Sequence, residues 1–250
     1  IANETDSTLK DMHEYFRDRT PTEKNQYTGM FQGKNLLLFT GEAFWIGAVN
    51  EQYTPTLYKL AHSGFVFENF YNPLWYYSTV DGEYAATTGL IPTNQVNASQ
   101  RYAGKNGVSM YFSMGNQLRA LGYPTLAYHN NTANYYDRNL SHPNLGYDFY
   151  ACDTGLDVAM TWPQSDLEMM QLTLPQALAG EKPFHNYYMT VSGHMNYSFA
   201  GNAMSAKHRD EVADLDMSEA ARAYLATWSW TRLWSTPSRH WRRPASWRTP

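Results

Sequence analysis

Apolar residues along this chain fall into short runs set off by polar, Gly- or Pro-marked stretches. The clearest is Leu36–Phe39 in "KNLLLFTGEAF", a continuous apolar run followed by Thr40, Gly41 and Glu42. Its length and flanks predict a buried parallel strand. Before it, "STLKDMHEYFRDRTP" predicts a helix over Thr8–Arg19, stopped by Pro21. "TPTLYKLAHSG" predicts a helix from Pro55 to about His62, with proline in its first turn and Gly64 as its stop. "FVFENFY" alternates only loosely and is read as a second strand, and the helix after it is expected over Asp81–Thr88. "MYFSMGNQLRALGY" has helical spacing up to Gly122, "PTLAYHN" reads as a strand, "SDLEMMQLTLPQALAG" as a helix and "FHNYYMTVSGH" as a strand. A last helix begins near "DMSEAARAYLA". Strands alternate with helices, with no internal repeat, so the expected fold is α/β: a mostly parallel central sheet with helices on both faces. Three expected strand ends deliver Glu42, His129 and His194 to the edge where such sheets place ligands.

The stretch "YYSTVDGEYAATTGL" admits two readings. In the first, Ser78 or Thr79 caps a helix, and Asp81 and Glu83 sit near the positive end of its dipole. In the second, Thr79 is an activated hydroxyl nucleophile at a helix N-terminus, where backbone N–H groups can hold an anion.

Composition narrows the field. The chain of 250 residues is globular and rich in tyrosine (20) and tryptophan (8), side chains that suit polar-ligand clefts. Cys152 is the sole cysteine, so an internal disulfide is excluded, and it is read as an inert small side chain. No apolar run approaches 18 residues, the usual minimum for a membrane span. The net charge of −4 conceals an acidic body, since residues 1–226 hold 14 basic against 23 acidic side chains. That balance argues against nucleic acid as a partner.

The segments "FTGEAF", "TPTLYKLAHSGFVFENFYNP", "STVDGEYAATTGLIP", "YHNNTANYYDRN", "GYDFY" and "YYMTVSGHMNY" occur in an order that resembles the lipoteichoic acid synthase branch of the sulfatase and alkaline phosphatase superfamily. The resemblance covers most of residues 30–226 and implies roles residue by residue. Glu42 holds the place of a glutamate that binds a divalent metal at the end of the first strand. Thr79 holds that of a threonine nucleophile and metal ligand, with Val80 where the family pattern has serine. His129 and His194 fall on two substrate-site histidines. Tyr136 and Arg138 fall on a Trp-x-Arg element whose tryptophan is here a tyrosine. One divalent cation, Mn²⁺ or Mg²⁺, is implied as cofactor, in keeping with the preference of hard cations for oxygen ligands. The implied substrate is phospholipid-derived or a polyol phosphate. The implied location is the outer face of the cell membrane, with membrane helices upstream of Ile1. His142, His185 and His208 receive no role, and Asp81 and Glu83 are read as helix-start residues.

Two departures matter. The superfamily completes its metal site with an Asp-His pair after a late strand, and none follows His194. From Thr227 the sequence changes character: five arginines, five tryptophans and no acid fall in residues 227–250. That tail is read as a frameshifted translation of a Leu-, Glu- and Ala-rich helix, which leaves the catalytic domain C-terminally truncated; the alternative is a basic, aromatic tail at a membrane surface. The expected organisation is an N-terminal helix and linker (1–29), a partial catalytic domain (30–226) and an aberrant tail with no core contacts. Two functions compete: a metal-dependent phosphotransferase or phospho/sulfo-ester hydrolase, and an inactive remnant or anion-binding module. "STVDGEY" lacks the Cys- or Ser-x-Pro-x-Arg segment of formylglycine sulfatases, which disfavours that nucleophile.

Overall fold

The computed structural model describes residues 1–71, 78–228 and 230–231. The chain divides into two compact units, Ile1–Lys34 and Asn35–Pro250. The first contains helix α1 (Ser7–Arg17), capped by Asp6, whose carboxylate accepts from Leu9 N. It ends at Asp18, ahead of the expected stop at Pro21.

The second unit is built on four strands: β1 (Leu36–Thr40), β2 (Thr125–His129), β3 (Asp148–Ala151) and β4 (His185–Met189). They pair in the order β1-β4-β2-β3, and every pairing is parallel. All five residues of β4 are buried, as a central parallel strand covered on both faces requires, and its polar His185 and Asn186 are buried with Tyr187, Tyr188 and Met189. On one face, Leu37, Phe39, Leu126, Tyr128 and Tyr188 pack against Met169 and Met170 of α7 (Asp166–Leu178). On the other, Leu38, Ala127, Tyr187 and Met189 pack with Leu145 and Tyr147, which follow α6 (Arg138–Asn144). Helix α5 (Met114–Ala120) lies so near Tyr147 that a Cβ on Gly115 would meet the ring at 2.9 Å. The remaining helices are α2 (Pro55–Ala61), α3 (Ser78–Thr88), α4 (Val96–Lys105), α8 (Ala203–Lys207) and α9 (Glu219–Ala226).

Several expectations are corrected. "FVFENFY" forms no strand: Glu68 and Asn69 make a turn, and Phe65, Phe67 and Phe70 are exposed. A run without strict alternation has no single face to bury. Helix α3 begins at Ser78, three residues before the expected Asp81, so Thr79 lies inside its first turn rather than ahead of it. Helix α5 is shorter than its apolar spacing suggested and starts only at Met114, after Ser113. Strand β3 and helix α4 were not foreseen. The packed body also runs past residue 226: Trp228 is 2% and Trp230 9% exposed, both in the core that contains Tyr188 and Met169. Trp228 fills the space over Gly41 and Gly193, and its ring meets Phe44 edge-on at 5.2 Å. A tail without core contacts therefore does not begin at Thr227. Residues 232–250, and the frameshift reading of them, lie outside the described residues.

Candidate active site

Beyond the C-terminal ends of β1, β2 and β4 lies a cleft of about 490 Å³, its open mouth included. Glu42, Thr79, His129, Tyr136, Arg138 and His194, singled out from sequence, all line it.

Glu42 stands two residues beyond β1. Its backbone N–H donates to Thr190 Oγ1 at 2.8 Å, and that hydroxyl donates to Thr40 O at 3.2 Å, so the residue after β4 fastens the loop after β1. Thr79 approaches from α3, and its hydroxyl donates to Glu42 Oε2 at 3.5 Å. At that length the bond is weak, but the two oxygens share one wall. Thr79 sits in the first helical turn, where backbone N–H groups lack intrahelical acceptors and the dipole favours an anion.

His129 is the last residue of β2 and is buried at 5% exposure. Its Nδ1 lies 3.0 Å from Met189 O. A carbonyl only accepts, so Nδ1 carries the proton and Nε2 of the neutral ring is an acceptor. Burial, helped by the Arg138 charge, pushes the imidazole down to about 3. A neutral His129 can accept a hydrogen bond at Nε2.

Arg138 opens α6, directly after Tyr136 and Asp137, both in left-handed backbone at φ 56° and 54°. That conformation is uncommon for a bulky residue such as Tyr136 and is a strain concentrated at the cleft. An ion pair between Arg101 and Asp137 fastens the kink from α4. Arg138 is 1% exposed. Its Nε donates to Glu83 Oε1 and Oε2 at 3.1 and 3.2 Å, its Nη2 lies 3.0 Å from Oε1, and its Nη1 donates to Tyr135 O at 3.3 Å. Glu83 is thus no helix-start residue. One turn after Thr79 on α3, it neutralises Arg138 and fixes the guanidinium plane, leaving part of its five-donor fork for a ligand. Burial pushes the Glu83 carboxyl upward while Arg138 opposes the shift.

His194 follows β4 and lines the cleft, its ring 5.2 Å from that of Trp162. Sequence reasoning missed Trp162, which supplies an aromatic wall in addition to Tyr136. It also missed Thr190, whose place after a strand was the available signal. Of the histidines without an assigned role, His142 stacks on Tyr187 at 6.0 Å in the core, and His185 accepts from Tyr147 Oη at 2.9 Å. His208 pairs with Glu211 at 2.8 Å. Cys152 is half-buried against the core, and burial pushes its thiol up.

A divalent cation would find two ligand residues here, Glu42 and Thr79. Among the described residues no group of three or more His, Cys, Asp or Glu side chains could hold a metal ion. A hard dication takes about six oxygens, some of them water, so these residues do not complete a site.

A family model described as Sulfatase matches residues 34–231. Lipoteichoic acid synthase 2 of Bacillus subtilis (strain 168) is 23% identical over 212 residues, covering 79% of this chain and 31% of that protein. The crystal structure of the lipoteichoic acid synthase LtaP from Listeria monocytogenes superposes with a TM-score of 0.67 at 20% identity, over 89% of this chain and 55% of that one. An alkaline phosphatase superfamily protein from Vibrio parahaemolyticus gives 0.58 at 21% identity, over 80% and 48%. The chain thus spans about a third of the curated relative and about half of each solved structure. With the family match covering nearly all of the second unit, the chain belongs to the sulfatase family, and its fold is similar to that of lipoteichoic acid synthases.

Proposed function

We propose that this chain carries the anion-handling part of a phosphotransferase or phospho/sulfo-ester hydrolase that works on the outer face of a cell membrane. Its substrate is an ester of the glycerol-phosphate type. The observation that supports this most is the placement of the Thr79 hydroxyl at the start of α3, beside Glu42 and facing His129, Arg138 and His194 across one cleft. In this reading Thr79 Oγ1 gives its proton to the neighbouring Glu42 carboxylate and attacks the phosphorus, the ester P–O bond breaks, and the leaving oxygen takes a proton from water at the cleft mouth near His194. The covalent phosphothreonine then passes its phosphoryl group to water or to an acceptor hydroxyl. Arg138 and the first-turn amides of α3 meet the charge on the equatorial oxygens. Neutral His129 orients a substrate hydroxyl through Nε2. Tyr136 and Trp162 give flat walls to a glycerol or sugar unit. Among the described residues no helix is long and apolar enough to cross a membrane, and the membrane location rests on the family resemblance.

A specific observation favours a second reading. A hydroxyl is a poor nucleophile without a Lewis acid or a strong base, and the described residues offer only half of a metal site. The chain would then be an anion-binding remnant. Calorimetry with Mn²⁺, alongside nitrophenyl-phosphate turnover by the chain and its Thr79→Ala variant, separates the two. Micromolar Mn²⁺ binding with Thr79-dependent turnover supports the enzyme. Phosphate binding without Mn²⁺ binding, and equal background turnover by both proteins, supports the remnant.

A further inference from the structure

Asp166 lies outside the cleft and is fully buried in the first turn of α7. Its Oδ1 accepts from Val191 N at 2.9 Å and from Asn130 Nδ2 at 3.1 Å, and its Oδ2 accepts from Ser192 N at 2.8 Å. Its own N–H donates to Ser192 Oγ at 3.0 Å, and that hydroxyl donates to Gln164 O at 3.1 Å. Asn130 directly follows His129 at the end of β2, and Ser192 stands two residues before His194 beyond β4. One carboxylate therefore clasps both histidine-bearing loops. From the other side Asn202 Nδ2 donates to Ser192 O at 3.1 Å and to His194 O at 2.8 Å, so the β4 loop is held along its length.

We propose that Asp166 is the positioning residue that sets His129 and His194 relative to each other across the cleft. The inference rests on the reading that these two histidines serve a substrate there. Three N–H donors converge on the side chain, and only a carboxylate offers acceptors in every direction; an asparagine must turn its NH₂ toward at least one of them. Fastening two loops in this way is costly. Burial pushes the carboxyl up to about 6 against the pull of its hydrogen bonds, so the ionised clasp opposes stability near neutral pH. A device that served stability alone gains nothing from the charge; a device that fixes geometry does.

The test uses the full chain labelled with ¹⁵N at histidine. In Asp166→Asn, ring resonances of both His129 and His194 are expected to shift, while those of exposed His62 and of His208 stay in place. Inorganic phosphate affinity should fall about tenfold, the effect that outer-shell partners have at metal sites. Ser165→Ala is the control for a merely structural role. It removes the α7 cap, in which Ser165 Oγ accepts from Glu168 N at 3.3 Å, and should lower Tm without moving either ring. Should Asp166→Asn fail to fold, Asn130→Ala removes one arm of the clasp and should move the His129 resonances while leaving those of His194. A folded Asp166→Asn with both rings unchanged, or an Asn130→Ala in which His129 does not respond, overturns the proposal. A parent chain that binds no phosphate counts against the functional reading, and the ring resonances still decide the role of Asp166.

Discussion

Acid should attack this protein through His129, and the size of the effect follows from its surroundings. The imidazole is held near 3 by burial and by Arg138, against an ordinary value of 6.5. The native ring thus refuses a proton that the unfolded chain accepts once the pH drops below 6.5. Its contribution is fully present above that value and is lost as the pH falls from 6.5 toward 3. At pH 5 the unfolded state gains about 2 kcal/mol from protonating this residue, and the whole window is worth about 5 kcal/mol. The informative variant is His129→Gln, which can still donate to Met189 O but does not titrate. Urea unfolding at pH 8 and pH 5 gives the loss of stability for each protein. The parent's loss should exceed the variant's by about 2 kcal/mol. His142 and His185, both also lowered by burial, act in the same direction in the two proteins. Asp166, raised to about 6, acts in the opposite direction, adding stability as the pH falls, and it too cancels between them. If parent and variant lose the same stability between pH 8 and 5, then His129 is protonated in the native cleft, and its assignment as a neutral acceptor is wrong.

Glu83→Ala should cost about 3–5 kcal/mol in denaturant unfolding, because it leaves the buried Arg138 guanidinium without its counter-ion. The Glu83→Ala/Arg138→Met double variant should recover part of that loss; if it unfolds as readily as the single variant, the pair does not act as a unit. Two glycines should respond in opposite ways to alanine, as Tm measurements would read. A Cβ on Gly193 would stand 2.4 Å from Glu42 O, so Gly193→Ala should destabilise by about 1–3 kcal/mol and weaken phosphate binding by displacing the β1 loop. Gly82, inside α3 with nothing within 4 Å of its Cβ position, should instead gain about 0.5–1 kcal/mol as alanine.

Elements whose burial is written into a local pattern were legible in the sequence. The runs at Leu36, Thr125 and His185 form strands, and α7 begins where Ser165 caps it. Loose alternation in "FVFENFY" misled, because apolar content without period does not choose a partner face. Of the six cleft residues, Glu42, His129 and His194 could be read from expected strand ends and Thr79 from a helix start, whereas Tyr136 and Arg138 came only with the family resemblance. Glu83 could not: a glutamate in the second turn of a helix looks the same whether it faces water or Arg138, and only the fold of α6 back onto α3 tells them apart. Trp228 was hidden for a related reason. A single ring filling a gap above Gly41 and Gly193 needs no periodicity around it.

The strand order β1-β4-β2-β3 has a consequence for how the molecule comes into being. Leu36 finds its partner His185 only 149 residues further along the chain. At about 5–20 residues per second, a ribosome takes roughly 7–30 s to make that interval. During it β2 and β3, close in sequence, can pair, while β1 waits with an open edge. Closing so long a loop is the slow, entropically costly step typical of non-local parallel pairing. Only with β4 between β1 and β2 does Glu42 come to face His129, so the cleft cannot exist before β4 has been made.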